Sequence, residues 1–185
     1  MEYYITSWTS SGQITGTGST PDGTIPSGAI PCTEAQAKTP SAYLVDISTT
    51  PHTVVDAPTS VLLAQAQATQ KALLLSAYQS AVNAPVSFKN SAGVTSTYPS
   101  GDTILTNGMK AKDLLSNILS AGSSAWTLGK WLDTNNVAQT FTFADLQGFA
   151  GAMEAAITLD WTDLIQKIDK VNNATSVSAV KAITF

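Results

Sequence analysis

Hydrophobic and polar positions change rhythm along the chain. In residues 1–57 they alternate in short runs broken by Gly, Pro and Ser, which predicts strands and turns. Tyr3–Trp8 has strand composition, Ser11-Gly12 supplies a turn, and Gln13–Thr17 returns as its partner. The Gly- and Pro-rich stretch from Gly16 to Pro31 reads as loop. Thr33-Glu-Ala-Gln36 is a capping-box pattern for a single helical turn, since the Thr hydroxyl and the Gln amide can each satisfy a free backbone N–H. Tyr43–Asp46 and Thr53–Val55 predict a second hairpin around Ser48–His52.

A different period takes over at Pro58. A helix is expected to run to about Val82, roughly 35 Å at 1.5 Å per residue, with Thr59 or Ser60 as its cap. Leu63, Ala66, Leu73 and Ala77 form one apolar row at heptad-like spacing, interrupted by Gln70. Ala64, Ala68, Leu75, Tyr78 and Val82 form a neighbouring row broken by Lys71, while Gln65, Thr69, Ser76 and Gln79 keep the far face polar. Two adjacent rows suit a helix that packs on its own domain and on another chain, and equally one buried across a broad face.

Asn83-Ala-Pro85 stops this helix. Val86–Phe88 and Val94–Tyr98 then predict a hairpin about Asn90–Gly93, with Val86 and Phe88 on one face. Leu114, Leu115, Ile118 and Leu119 mark a helix ended by Gly122. Trp126–Leu132 and Val137–Thr142 are strand-like runs flanking Asp133–Asn136. Leu146, Phe149, Ala150, Met153 and Ile157 predict one helix, and Trp161, Leu164, Ile165 and Ile168 a second that begins after Asp160. Thr175–Lys181 closes the chain as a short capped helix. The pattern is α+β: a β-rich N-terminal segment (1–57), a linking helix (58–83) and a C-terminal domain of hairpins and helices (84–185), without tandem repeats.

Composition narrows the function. The 185 residues are 43% hydrophobic but only 12% charged, about half the usual share, so Ser, Thr, Ala and Asn supply a polar, weakly charged surface. All nine basic residues are lysine and the net charge is −4. Without guanidinium forks or a basic cluster beyond Lys110 and Lys112, nucleic-acid binding and phosphoryl transfer are disfavoured. MEYYITSW lacks the basic and apolar regions of a signal peptide, and the apolar run Ala72–Leu75 is too short to cross a bilayer, so a protein made in the cytosol and not held in a membrane is expected.

Candidate chemistry is sparse. Cys32 and His52 are single, which precludes an intramolecular disulfide and a multi-histidine zinc site; a Ser-His-Asp triad would have to use His52, in the turn-like Thr49–Thr53. Gly16-Thr-Gly18 has neither the following helix nor the lysine of a phosphate loop. Asp160 and Asp163 could form a carboxylate pair, but capping of a helix at Trp161 accounts for both. Asn173-Ala-Thr175 is a glycosylation sequon in form, with Thr175 equally placed as a helix cap. Trp126, Trp131, Phe141 and Phe143 are enough for a sugar-stacking platform, though hairpin geometry turns some of them inward as core. Trp131-Leu-Asp-Thr-Asn-Asn136 concentrates oxygen-bearing side chains, yet no acid lies between Asp133 and Asp145, so a hairpin turn fits better than a calcium loop. Thr142 and Asp145 complete a capping-box-like helix start.

Ala84-Pro-Val-Ser-Phe88 with Ser91-Ala-Gly-Val94, the Trp131–Val137 turn, Phe141-Thr-Phe-Ala-Asp-Leu-Gln-Gly148 and Ala174–Val180 together resemble a domain family found at the C-terminal end of bacteriophage tail-fibre and tail-fibre-assembly proteins. The resemblance spans roughly residues 75–185; Ile25–Ile30 and Cys32–Gln36 are more loosely similar to short tail-fibre-associated proteins. It implies a virion structural component of tail, baseplate or fibre, or an assembly chaperone, and carries no catalytic residues. The expectation is therefore a non-enzymatic protein without cofactor or metal, acting on other tail or virion proteins. Leu63, Ala66, Leu73 and Ala77 are the candidate oligomer contact, a trimer being favoured, and a host glycan is an alternative partner.

Overall fold

The computed structural model describes residues 1–185 and is α+β, with a β-rich N-terminal region, a long helix, and C-terminal hairpins and helices. The chain forms two compact units, one of residues 1–68 with 175–178 and one of residues 69–174 with 179–185.

In the first unit β1 (Glu2–Trp8) is the centre of a three-stranded antiparallel sheet, between β2 (Ile14–Thr20) and β3 (Ile30–Cys32). Ile5 pairs with Thr17 on one side and Ile30 on the other, and its side chain is fully buried with Ile14, Ile30 and Val45. The expected hairpin of β4 (Tyr43–Asp46) and β5 (Thr53–Asp56) is present, and β4 is tied to the β1–β2 turn by Val45 N–H donating to the Gly12 carbonyl at 2.8 Å. Gly12 adopts φ +81°, and a Cβ there would stand 2.2 Å from the Val45 carbonyl oxygen, so only glycine fits. The capping box of α1 (Glu34–Lys38) forms as expected, Gln36 N–H donating to Thr33 Oγ1 at 3.2 Å and Thr33 N–H to Gln36 Oε1 at 2.8 Å.

The stretch Gly16–Pro31 is not the continuous loop its composition suggests. β2 runs through Gly16 and Gly18 to Thr20, and Ile30-Pro31 enters β3. These glycines are gaps filled from β1: a Cβ on Gly18 would lie 2.6 Å from the Tyr4 ring, and one on Gly16 would lie 2.5 Å from Ser7 Oγ.

Helix α2 spans Thr59–Ala81, so neither Thr59 nor Ser60 precedes it as a cap; residues 59–68 belong to the first unit and 69–81 to the second. Its most buried side chains are Gln70 and Leu74. Gln70, expected as an interruption of the apolar row, donates from Nε2 to the Ile183 carbonyl at 2.6 Å, which satisfies a polar group that burial would otherwise penalise.

The second unit is built on hairpin β6 (Val86–Lys89) and β7 (Thr95–Tyr98), helix α3 (Ala111–Ala121), hairpin β8 (Lys130–Leu132) and β9 (Ala138–Thr140), and helix α4 (Phe143–Asn173). Both hairpins lie where the sequence places them, the second with shorter strands. Tyr98, Leu115, Trp131, Phe141, Leu146, Phe149 and Met153 form the core, with Val86, Phe88 and Trp126 against it. The rings of Phe141 and Phe149 each meet Phe88 and Tyr98 at centroid distances of 5.1–5.8 Å. Gly148 lets the Phe88 ring rest on α4, since a methyl there would come within 3.1 Å of Phe88 Cζ.

Two expected helices are one. α4 runs 31 residues without a break, so Asp160 is mid-helix and caps nothing. Thr158-Leu-Asp160 resembles a helix start, but no Gly or Pro lies between Ala152 and Asn173, and Thr162 turns its hydroxyl back to the Thr158 carbonyl at 2.8 Å. Leu146, Phe149, Met153, Leu164 and Val171 are buried along it. The closing helix α5 (Val177–Lys181) starts two residues after Thr175, the expected cap.

Candidate functional site

Asp133 and Asp145 are the buried acids, 4% and 6% exposed, and each organises a junction. β8 turns into β9 through Asp133–Val137, with Asn136 in the left-handed region at φ 60°, a conformation Asn tolerates. Asp133 Oδ1 accepts from the N–H groups of Asn135 at 2.9 Å and Val137 at 3.0 Å, and Oδ2 from Ser96 Oγ at 2.9 Å and Gln139 Nε2 at 3.1 Å. The bond from Val137 N–H, with those from Gln139, Ser96 and Asn135, outweighs burial and holds this carboxyl below its ordinary range. The motif is a turn, and it also ties one hairpin to the other: Thr134 N–H donates to the Thr97 carbonyl at 2.9 Å.

Asp145 begins α4 as expected and reaches further. Thr142 N–H and Oγ1 donate to Oδ2 at 2.7 and 2.8 Å, and Asp145 N–H donates to Thr142 Oγ1 at 3.1 Å, closing the capping box. Ser91, in the β6–β7 turn, donates its N–H to Oδ1 and its hydroxyl to Oδ2, both at 2.7 Å. Burial raises the carboxyl's pKa, but these bonds together outweigh it and leave the group below its ordinary range. Asn90 beside it is buried and donates from Nδ2 to the Thr140 carbonyl at 2.9 Å. The turn Asn90-Ser91 thus serves as a clamp on β9 and α4. Sequence reading identified the turn, and only the fold shows its distant partners.

Tyr98 is wholly buried and its hydroxyl has no hydrogen-bond partner. Burial, with the nearby charges of Asp133 and Asp145, pushes the phenol's pKa up.

Next to this junction a cavity of 380 Å³ opens between the 104–107 loop, α3, and β8. Leu105, Leu114, Ile118, Trp126 and Leu128 give it apolar walls, and every residue from Lys130 to Thr134 borders it. Side chains of successive strand residues point to opposite faces, so a cavity touching all three residues of β8 lies along the strand's edge, and it continues past the turn residues Asp133 and Thr134. Lys130 and Asp133 are its charged residues; Asp133 is engaged by the bonds above, whereas Lys130 is exposed and in no ion pair.

The other sequence candidates are dispersed. Trp131 is buried and Trp126 donates Nε1–H to the Phe141 carbonyl at 2.8 Å, so the aromatic set forms core. His52 holds the Thr49 carbonyl at 2.7 Å through Nδ1 and packs edge-on against Trp8. Asp163 pairs with Lys167, and Lys110 and Lys112 both pair with Asp102, at 2.9 and 2.6 Å. Burial pushes the Cys32 thiol up. No three acid, His or Cys side chains come together to hold a metal, and no helix is long and apolar enough to cross a membrane. Of the α2 row, Leu63, Ala66 and Ala77 are half-buried and Leu73 is 58% exposed. Leu75 on α2 and Leu159, Trp161 and Ile165 on α4 are also exposed, the indole of Trp161 lying 5.7 Å from the ring of Tyr78.

The chain matches no family model, no curated protein and no solved structure.

Proposed function

We propose that this chain is a non-enzymatic structural component of a bacteriophage virion, a tail, baseplate or tail-fibre protein that works by contact with other virion proteins. The resemblance of residues 75–185 supplies the setting. The observation that carries the mode of action is the set of large apolar side chains exposed on two long helices of the second unit, Leu73 and Leu75 on α2 and Leu159, Trp161 and Ile165 on α4, 47–71% open. On a surface with few charges, such side chains favour burial against protein. Protein contact is preferred to glycan stacking because the aromatic set Trp126, Trp131, Phe141 and Phe143 lies in or against the core, and the exposed Trp161 shares α4 with the exposed aliphatic side chains Leu159 and Ile165. The protein is made in the host cytoplasm and then incorporated in the particle. Self-association, with a trimer expected, brings Leu73 of α2 into contact between copies.

Two measurements test this. Light scattering at micromolar concentration is expected to give an oligomer, and mass spectrometry of purified particles of the encoding phage a stoichiometric signal. A strict monomer absent from particles overturns the proposal, while an oligomer that binds fibre protein but is missing from particles identifies an assembly chaperone instead.

A further inference from the structure

We propose that the outer edge of β8 is a docking edge for an extended segment of a partner protein, carrying a bulky apolar residue beside an acidic one. The hydrogen-bond phase of the β8–β9 hairpin establishes the open edge. Asp133 N–H donates to the Val137 carbonyl at 3.0 Å and Phe141 N–H to the Gly129 carbonyl at 2.9 Å, so odd-numbered residues of β8 face β9. Lys130 and Leu132 must then direct their N–H and C=O groups away from β9, where they meet no partner. The next outward residue, Thr134, does have one, the Thr97 carbonyl of β7 at 2.9 Å. Pro99, just past the end of β7, lines the cavity, so the neighbouring strand leaves this edge where the cavity begins. An added strand would occupy the lane that β7 vacates and satisfy two backbone donors and two acceptors.

The cavity fixes the occupant's side chains. Its 380 Å³ falls in the range of ligand pockets, about 300–1,000 Å³, and its apolar walls suit a leucine- or phenylalanine-sized residue. Lys130, the free cation on the same edge, selects an acid next to that residue. A second copy's β8 fits poorly, because it would bring another lysine, and its only nearby acid, Asp133, is buried and already engaged by four hydrogen bonds. The inference is independent of the virion reading: a chain absent from every particle could still bind a peptide here.

The test uses the full ¹⁵N-labelled chain and blocked peptides that alternate leucine or phenylalanine with threonine and carry one glutamate. Saturable shifts centred on 130–134 are expected, with slowed amide exchange at Lys130 and Leu132. Lysine in place of the peptide's glutamate should weaken binding about tenfold, and Lys130→Glu should reverse that preference. Backbone N-methylation of the peptide should abolish both binding and protection, a control that leaves the protein's fold untouched. The proposal is overturned if no peptide in the panel saturates, if shifts map elsewhere, or if the cavity fills without amide protection. Protection that grows with protein concentration before peptide is added also overturns it, in favour of a second copy.

Discussion

Replacing Asp145 by Ala removes the acceptor that Ser91 and Thr142 share. Loss of an N-terminal cap costs about 0.5–2 kcal/mol, and hydrogen bonds to a charged group contribute about 1.5–3 kcal/mol. The Ser91 and Thr142 hydroxyls can turn to solvent, so the two backbone donors dominate, and a loss of about 2–4 kcal/mol follows for Asp145→Ala. Asp145→Asn keeps one acceptor oxygen and should lose about half as much. Urea unfolding followed by tryptophan fluorescence measures the loss, and hydrogen exchange at the Ser91 and Thr142 amides localises it. The pH dependence carries the same signature. Asp145 titrates lower in the folded chain than unfolded, so its contribution is full above the unfolded pKa of about 3.9 and disappears as pH falls through the folded value. Wild type should therefore destabilise below about pH 4 more steeply than Asp145→Asn. A change under about 0.5 kcal/mol for Asp145→Ala, with unaltered exchange at both amides, would refute the idea that this carboxylate joins the hairpin to α4.

Asp133 has the same sign of shift, so Asp133→Asn should also flatten the acid limb, and the two substitutions together should flatten it most, as read from urea midpoints between neutral and acid pH. Tyr98→Phe removes a buried hydroxyl without a partner and should leave stability unchanged or raise it by about 1 kcal/mol; a comparable loss would reveal a hydrogen bond. Asp160→Ala discriminates the two helix readings by sign, since a cap would lose about 1 kcal/mol whereas a mid-helix position gains about 0.5 kcal/mol from propensity, measured by thermal unfolding. Leu164→Ala should cost about 2–5 kcal/mol and the exposed Leu159→Ala less than about 0.5 kcal/mol in the same assay.

Local chemistry explains what the sequence made legible. The capping boxes at Thr33 and Thr142, the proline stop at Pro85 and the turns at Asn90 and Asp133 depend on residues within a few positions of each other, and all of them form. Readings failed where a distant group decides. Gly16 and Gly18 look like loop residues until Ser7 and Tyr4 of the adjoining strand fill their missing side chains. Gln70 looks like a break in an apolar row until Ile183 supplies its acceptor. Asp160 has a cap's composition, but Leu164 and Val171 beyond it are buried on the same continuous helix as Phe149 and Met153, so packing carries the helix through it. The open edge at Lys130 and Leu132 was beyond reach, because it depends on which way β7 turns after Tyr98.

The continuity of α4 has a mechanical consequence. At 1.5 Å per residue its 31 residues make a strut about 46 Å long, fixed near its start by the Asp145 junction and flanked further along, at Trp161 and Lys167, by Tyr78 and Phe185 of its own unit. Because the helix is continuous and free of proline from Leu146 to Val171, Trp161 and the Ser91 clamp are joined by one hydrogen-bonded element, and a load applied near Trp161 acts on the clamp along the helix axis.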